Sequence, residues 1–280
     1  MLVGIALFSV LNAVVKAQSA YIPLNQIVFF RNAFALIPLG YLLMRVGAKG
    51  RLGQARLGQH ALLALLFTIT LYCIFYAYSV LPLADATAIA FSQPLIVVIL
   101  ASVFSQERAS WIGWCSVGIG LIGVLLMAPP AGTGELLGYA MALTGSTFGA
   151  ASMLVQRSLA LKESALVIAF FTLSLSAVLT LPTLVFAWVW PNGWQLAGLV
   201  AMGIASGLCQ LVITQAFYHA SAALIAPVTY TKILWAVLIG FLWFGDTPSS
   251  QILIGAAIVL AAAALNLSAA RVAVAAGPST

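Results

Sequence analysis

Lys232 stands five residues after Pro227 inside a long apolar run. A charge held at mid-depth in lipid costs from about 3 to more than about 10 kcal/mol. A residue so placed must face a wet cavity or a partner of opposite sign. No carboxylate falls at comparable depth, because Asp85, Glu135 and Asp246 lie at one edge of the apolar runs and Glu107 and Glu163 at the other. This predicts that a carboxylate or phosphate of a bound small molecule supplies the counter-charge. The competing reading is a structural lysine bonded to helix carbonyls, with its proton shed to escape the cost of burial.

Gln93, just before Pro94, falls at nearly the same depth, and Pro94 and Pro227 both weaken helix hydrogen bonding and free carbonyls that are tolerated only beside a cavity or packed protein. Phe91, Tyr230 and Trp235 lie within a turn of Gln93 or Lys232, and Tyr72, Tyr76 and Tyr78 are read as a polar-aromatic wall suited to an apolar or aromatic cargo side chain. Asn12, Ser152, Gln210 and Gln215 are further polar candidates within apolar runs. Helix packing competes with a binding role at each of them. Arg31 cannot shed its proton and needs a partner. Asp85 and Asp246, at a similar level, are predicted to form a structural or gating ion pair with it, while Lys16 is expected to snorkel to the surface.

The elements that position these residues follow from composition. The chain is 64% apolar and 6% charged, against roughly 45–50% and 25% in soluble domains, which excludes a water-soluble fold. Apolar runs at about 2–18, 24–46, 61–80, 85–104, 110–128, 135–157, 165–190, 195–218, 222–244 and 250–270 predict ten membrane spans with short loops and no soluble domain. Placing the N-terminus in the cytoplasm puts Arg45, Lys49, Arg51, Arg56, Arg108, Arg157, Lys162 and Arg271 on the inner side and leaves Lys16 alone outside. The positive-inside rule then predicts cytoplasmic termini in a bacterial-type inner membrane. The scattered cations form no basic patch for nucleic acid. Cys73, Cys115 and Cys209 are read as small core residues, and Trp111, Trp114, Trp188, Trp190 and Trp194 as interfacial belt residues.

An internal repeat is also legible. Glu107 and Ser110 stand 139 positions before Asp246 and Ser249, and the same offset carries Gln93 onto Lys232. Near the N-terminus an offset of 140 carries Asn12 onto Ser152 and Lys16 onto Gln156. The predicted fold is an all-α membrane protein of two five-helix repeats, residues 1–130 and 131–280. An odd number of spans per half inverts the second copy, around a central cavity. Gly145-x-x-x-Gly149 and Gly203-x-x-x-Gly207 are read as close packing within a monomer, not as a dimer signal.

The stretch from Ala77 through Pro82, Ala84, Pro94, Glu107-Arg108 and Ser110 to Gly118, Gly123 and Val124 resembles the repeat of the drug/metabolite transporter superfamily, EamA-type. The second half matches more loosely, with Asp246 for the acid and Ile233 where a proline is expected, and Phe29-Phe30-Arg31-Asn32 resembles the arginine-bearing second helix of that family. The resemblance implies a cavity lined by spans one, three, four, six, eight and nine, and export of a small organic metabolite. The pattern is nearest to amino-acid exporters of the YddG kind, with organic-phosphate or drug exchange as the alternative. No Walker loop or nucleotide domain is present, and His60 and His219 lack metal-ligand spacing, so the expected transport is gradient-driven with no cofactor or metal. An intramembrane enzyme would need a nucleophile and base converging at one depth, and a non-transporting scaffold or receptor is the remaining alternative.

Overall fold

A computed structural model of the chain describes residues 2–45, 56–104, 111–127, 136–219, 231–246 and 249–275, and every element among them is helical. The elements are α1 (Leu2–Ser19), α2 (Leu24–Arg45), α3 (Leu57–Val80), α4 (Leu83–Ala90), α5 (Gln93–Phe104), α6 (Trp111–Met127), α7 (Leu136–Ala160), α8 (Ala165–Thr180), α9 (Gly193–His219), α10 (Thr231–Ile239) and α11 (Ser250–Ala275). Among the described residues, five stretches are long and apolar enough to cross a membrane: Leu24–Arg45, Leu57–Val80, Leu83–Val103, Ala165–Val185 and Gly193–Val212. Shorter apolar stretches lie in α6, α10 and α11. The α7 helix is long but rich in small and hydroxyl residues. Its buried face, with Gly138, Ala142, Gly145, Ser146, Gly149 and Ser152, packs on α3, α4 and α5, where it needs no affinity for lipid.

Three departures from the predicted spans have local causes. The 85–104 run is not one helix. Pro94 has no N–H for the Ala90 carbonyl, and the chain makes a tight turn through Phe91 and Ser92 before helix resumes at Gln93. The 165–190 run ends early, because Pro182 and Pro191 leave a 3₁₀ turn at Leu181–Val185 and then an irregular strap. Buried Gln26 holds that strap through both its amide atoms, at 3.0 Å to the Val189 carbonyl and 2.9 Å from the Val189 N–H. The apolar 186–190 stretch is thereby an outer cover with Trp190 exposed, as Trp111 and Trp194 also are. Third, α10 runs into a π turn at Gly240–Phe244 that ends at Gly245, in the left-handed region at φ 67°.

The larger helix contacts are preserved when α1–α3, α4 with α5, and α6 are exchanged with α7–α9, α10 and α11. The most extensive contacts join α6 to α11 and α3 to α7, followed by α2 to α9, α2 to α8 and α3 to α8. The exchange carries α3–α7 onto α9–α1 and α2–α9 onto α8–α3, all of which are in contact, while α6–α11 and α2–α8 map onto themselves. Both small-residue motifs lie in these seams. A Cβ at Gly207 would meet the Ala35 carbonyl oxygen at 2.5 Å, and one at Gly203 the Phe34 Cβ at 2.4 Å. A Cβ at Gly145 would strike Ile74, and Gly149 faces Gln93 and Thr70.

Candidate functional site

The turn that splits α4 from α5 is where the predicted polar residues gather. Phe91 and Ser92 in the turn are buried, and the Ser92 hydroxyl has no hydrogen-bond partner among the described residues. Gln93 begins α5 with its amide against α7 and α3. Its Cδ and Nε2 would be 3.2 Å from a Cβ at Gly149, and Thr70 closes the other side. Ser152, one turn along α7, donates to the Gly149 carbonyl at 2.8 Å. A second polar patch lies two turns further along α3, where Asn12 Nδ2 donates to the Tyr78 hydroxyl at 3.0 Å with both residues buried. Thr70 and Tyr78 are separated by about 12 Å of helix rise, so the two patches mark a path along the bundle.

The α10 helix, which carries Lys232, packs on α1 and α4, the helices on either side of these patches. Lys232 stands one turn before buried Ala236, and its side chain lies outside the described residues, as does Tyr230. Gln210 on α9 is buried. Trp235 is placed elsewhere. It is 37% exposed and lines a shallow apolar groove of about 380 Å³ with Val10, Leu238, Ile239, Leu242 and Trp243. The tyrosine wall is not a single surface either. At 100° per residue Tyr78 points about 240° away from Tyr72, and Tyr72 turns to Thr183 at 2.7 Å instead.

The ion pairs differ from those predicted. Asp246 accepts from Lys16 at 2.5 Å and from the Leu83 N–H at 3.1 Å, tying the end of α1 and the start of α4 to the segment after α10. Lys16 also sits 4.7 Å over the Phe244 ring, so it does not snorkel freely. Asp85 accepts from the Tyr139 hydroxyl at 3.0 Å. Arg31 is 3% exposed and meets neither acid. Its Nη1 donates to Asn32 Oδ1 at 3.0 Å, and its guanidinium lies 5.6 and 5.9 Å from the Phe67 and Phe75 ring centres. Asn32 in turn donates to Ser176, which bonds Thr68, each at 2.7 Å. At the opposite end of the bundle from Lys16, His60 on α3 meets Glu163 at 2.8 Å, a contact that the sequence reading missed.

This arrangement offers polar groups at the interior of a membrane bundle and, among the described residues, no assembled nucleophile and base. A model of the EamA-like transporter family matches the chain twice, over residues 1–128 and 136–268. The chain belongs to that family. It is therefore a multi-pass membrane transporter and not an enzyme. It is 31% identical over 261 residues to the pseudopaline exporter of Pseudomonas aeruginosa, covering 91% of this chain and 90% of that one. The S-adenosylmethionine uptake transporter of Rickettsia conorii is 27% identical over 84% of this chain and 80% of its own. The riboflavin transporter of Vibrio cholerae is 24% identical over 90% and 86%. A crystal structure with 22% sequence identity covers 96% of each chain at a TM-score of 0.69, which speaks for the fold alone.

Proposed function

We propose that the protein is a secondary transporter that exports small amino-acid-type metabolites, aromatic or hydrophobic neutral amino acids among them, down their gradient by alternating access. The observation that carries this reading is the broken span at Phe91–Ser92, which sets Gln93 beside α7 at the interior of the bundle, next to the helix that bears Lys232. Discontinuous helices near mid-membrane expose backbone polar groups to a cargo, and transporters use them for that purpose. Lys232 would meet the cargo carboxylate, with Gln93, Asn12, Ser152 and Gln210 supplying hydrogen bonds and Phe91, Tyr78 and Tyr230 apolar contact. Trp235 would join them only if its helix turned during the cycle.

The exchange symmetry of the helix contacts supports two five-helix repeats, 1–130 and 131–280, and ten spans, while the loop charges favour an inverted second copy with cytoplasmic termini. A monomer suffices, since both glycine motifs are used inside it. The rival cargo, an organic phosphate, is favoured by one observation, a second buried cation at Arg31 without an acid partner among the described residues. Transport from loaded liposomes tests the reading. Labelled L-phenylalanine should leave down its own gradient with no proton gradient imposed. Release that needs a pH difference would contradict uniport, and release of sugar phosphates but not of amino acids would favour the exchanger.

A further inference from the structure

Among the described residues, the guanidinium of Arg31 is a buried charge with no carboxylate within ion-pair distance. It lies on α2, and among the described residues its only hydrogen bond is to Asn32 of the same helix. Guanidinium has five N–H donors and keeps its charge under all ordinary conditions. No carboxylate among the described residues stands within ion-pair distance, since Asp246 is held by Lys16. The Phe67 and Phe75 rings on α3 face the cation and offset part of its desolvation. Rings leave the in-plane N–H fork unmet.

The position is inside the bundle. Asn32 of the same helix is bonded to Ser176, in the last third of α8, which is bonded to Thr68 near the middle of α3. Phe75 belongs to the same buried apolar cluster as Tyr78 and Phe91, so the aromatic wall under the cation continues to the residues of the candidate site. Asn32 is held by Ser176 and fixes the direction of the fork.

We propose that Arg31 is an anion-binding subsite that takes a carboxylate of the cargo through its free N–H groups, with Phe67 and Phe75 as the walls and Asn32 as the positioning residue. It would be a second anchor, apart from Lys232, and would select cargo with a carboxylate over uncharged analogues of the same shape. This rests on the transporter reading for the source of the anion, but the binding test below involves no transport and fails separately from it.

Thermal unfolding of the purified full-length protein in detergent is followed with benzoate, benzamide or inorganic phosphate added. Benzoate should raise the midpoint of the wild type in a saturable way, and the neutral isostere benzamide should not. Measured in a Lys232→Ala background, which removes the other proposed anchor, Arg31→Gln should abolish the benzoate response. Arg31→Lys keeps the charge without the fork, and should raise the half-saturating benzoate concentration about tenfold. Should Arg31→Gln fail to fold, the lysine variant and Phe75→Leu, which removes one wall, carry the test. Equal responses to benzoate and benzamide, an unchanged response in Arg31→Gln, or unweakened binding in both of the other variants would overturn the proposal. A response to phosphate alone would overturn the carboxylate assignment.

Discussion

Gly207→Leu should leave almost no folded protein, whereas Gly40→Leu should melt within a few degrees of the wild type. The contrast is steric. A Cβ at Gly207 would lie 2.5 Å from the carbonyl oxygen and 3.0 Å from the Cα of Ala35, so both obstructing atoms belong to the backbone of α2 and cannot rotate away. The same atom at Gly40 meets nothing within 4 Å. Overpacking of a filled interior costs typically 1–3 kcal/mol even where side chains can yield. Here two long helices would have to separate along a seam that also contains Gly203. About 3 kcal/mol or more is a large part of the stability of most folds. The yield of monodisperse protein on size exclusion and the thermal midpoint both read the effect. A Gly207→Leu protein that purifies and melts like the wild type would show that α2 and α9 are not in this contact.

Asp246→Ala should open the end of the bundle that carries Lys16. The Asp246 carboxylate gathers two donors from different elements, the Lys16 ammonium and the Leu83 N–H at the start of α4. The Lys16 and Asp246 side chains are 16% and 17% exposed, between the exposed pairs worth at most about 1 kcal/mol and the buried ones whose disruption costs about 3–5 kcal/mol. An intermediate value of about 2 kcal/mol shifts a two-state equilibrium about thirtyfold. A cysteine at position 78, in a protein otherwise free of cysteine, reports the shift. Labelling by a membrane-impermeant maleimide from the Lys16 side should quicken at least about tenfold in Asp246→Ala. The doubly exchanged variant, Lys16→Asp with Asp246→Lys, should restore slow labelling, since it rebuilds the pair. If the exchanged variant labels as fast as Asp246→Ala, the charge pair is not what holds this end closed.

Hydropathy was sufficient to place the helices and insufficient to pair their side chains. The run at 24–46 became α2 at Leu24–Arg45 with almost no displacement, even though Pro38 lies inside it. The 85–104 run broke because an average over apolar side chains takes no account of the N–H missing from Pro94. Pairing failed for a different reason. Sequence gives depth along a span, but the direction in which a side chain points depends on how neighbouring helices rotate against each other. Lys16 and Arg31 both lie toward the same end of the bundle, and only packing decides that α1, not α2, faces Asp246. The tyrosines were a missed opportunity, since the helical repeat alone separates Tyr78 from Tyr72. Asn12, Gln93 and Ser152 lie inside the bundle, as expected of a polar side chain deep in an apolar run, which has few places to go. The apolar groove at Trp235 could not be told from a cargo wall by residue type.

Flux through the purified carrier tests the central claim most directly. Wild-type protein and Lys232→Ala are reconstituted at equal density in otherwise empty liposomes, and release of labelled L-phenylalanine is followed down its gradient. The account predicts saturable release by the wild type, and a rate at least about tenfold lower for the alanine variant, since an ammonium group that meets a cargo carboxylate in a dry site contributes more than about 1.4 kcal/mol. Equal rates for the two proteins, with both folded, would contradict it.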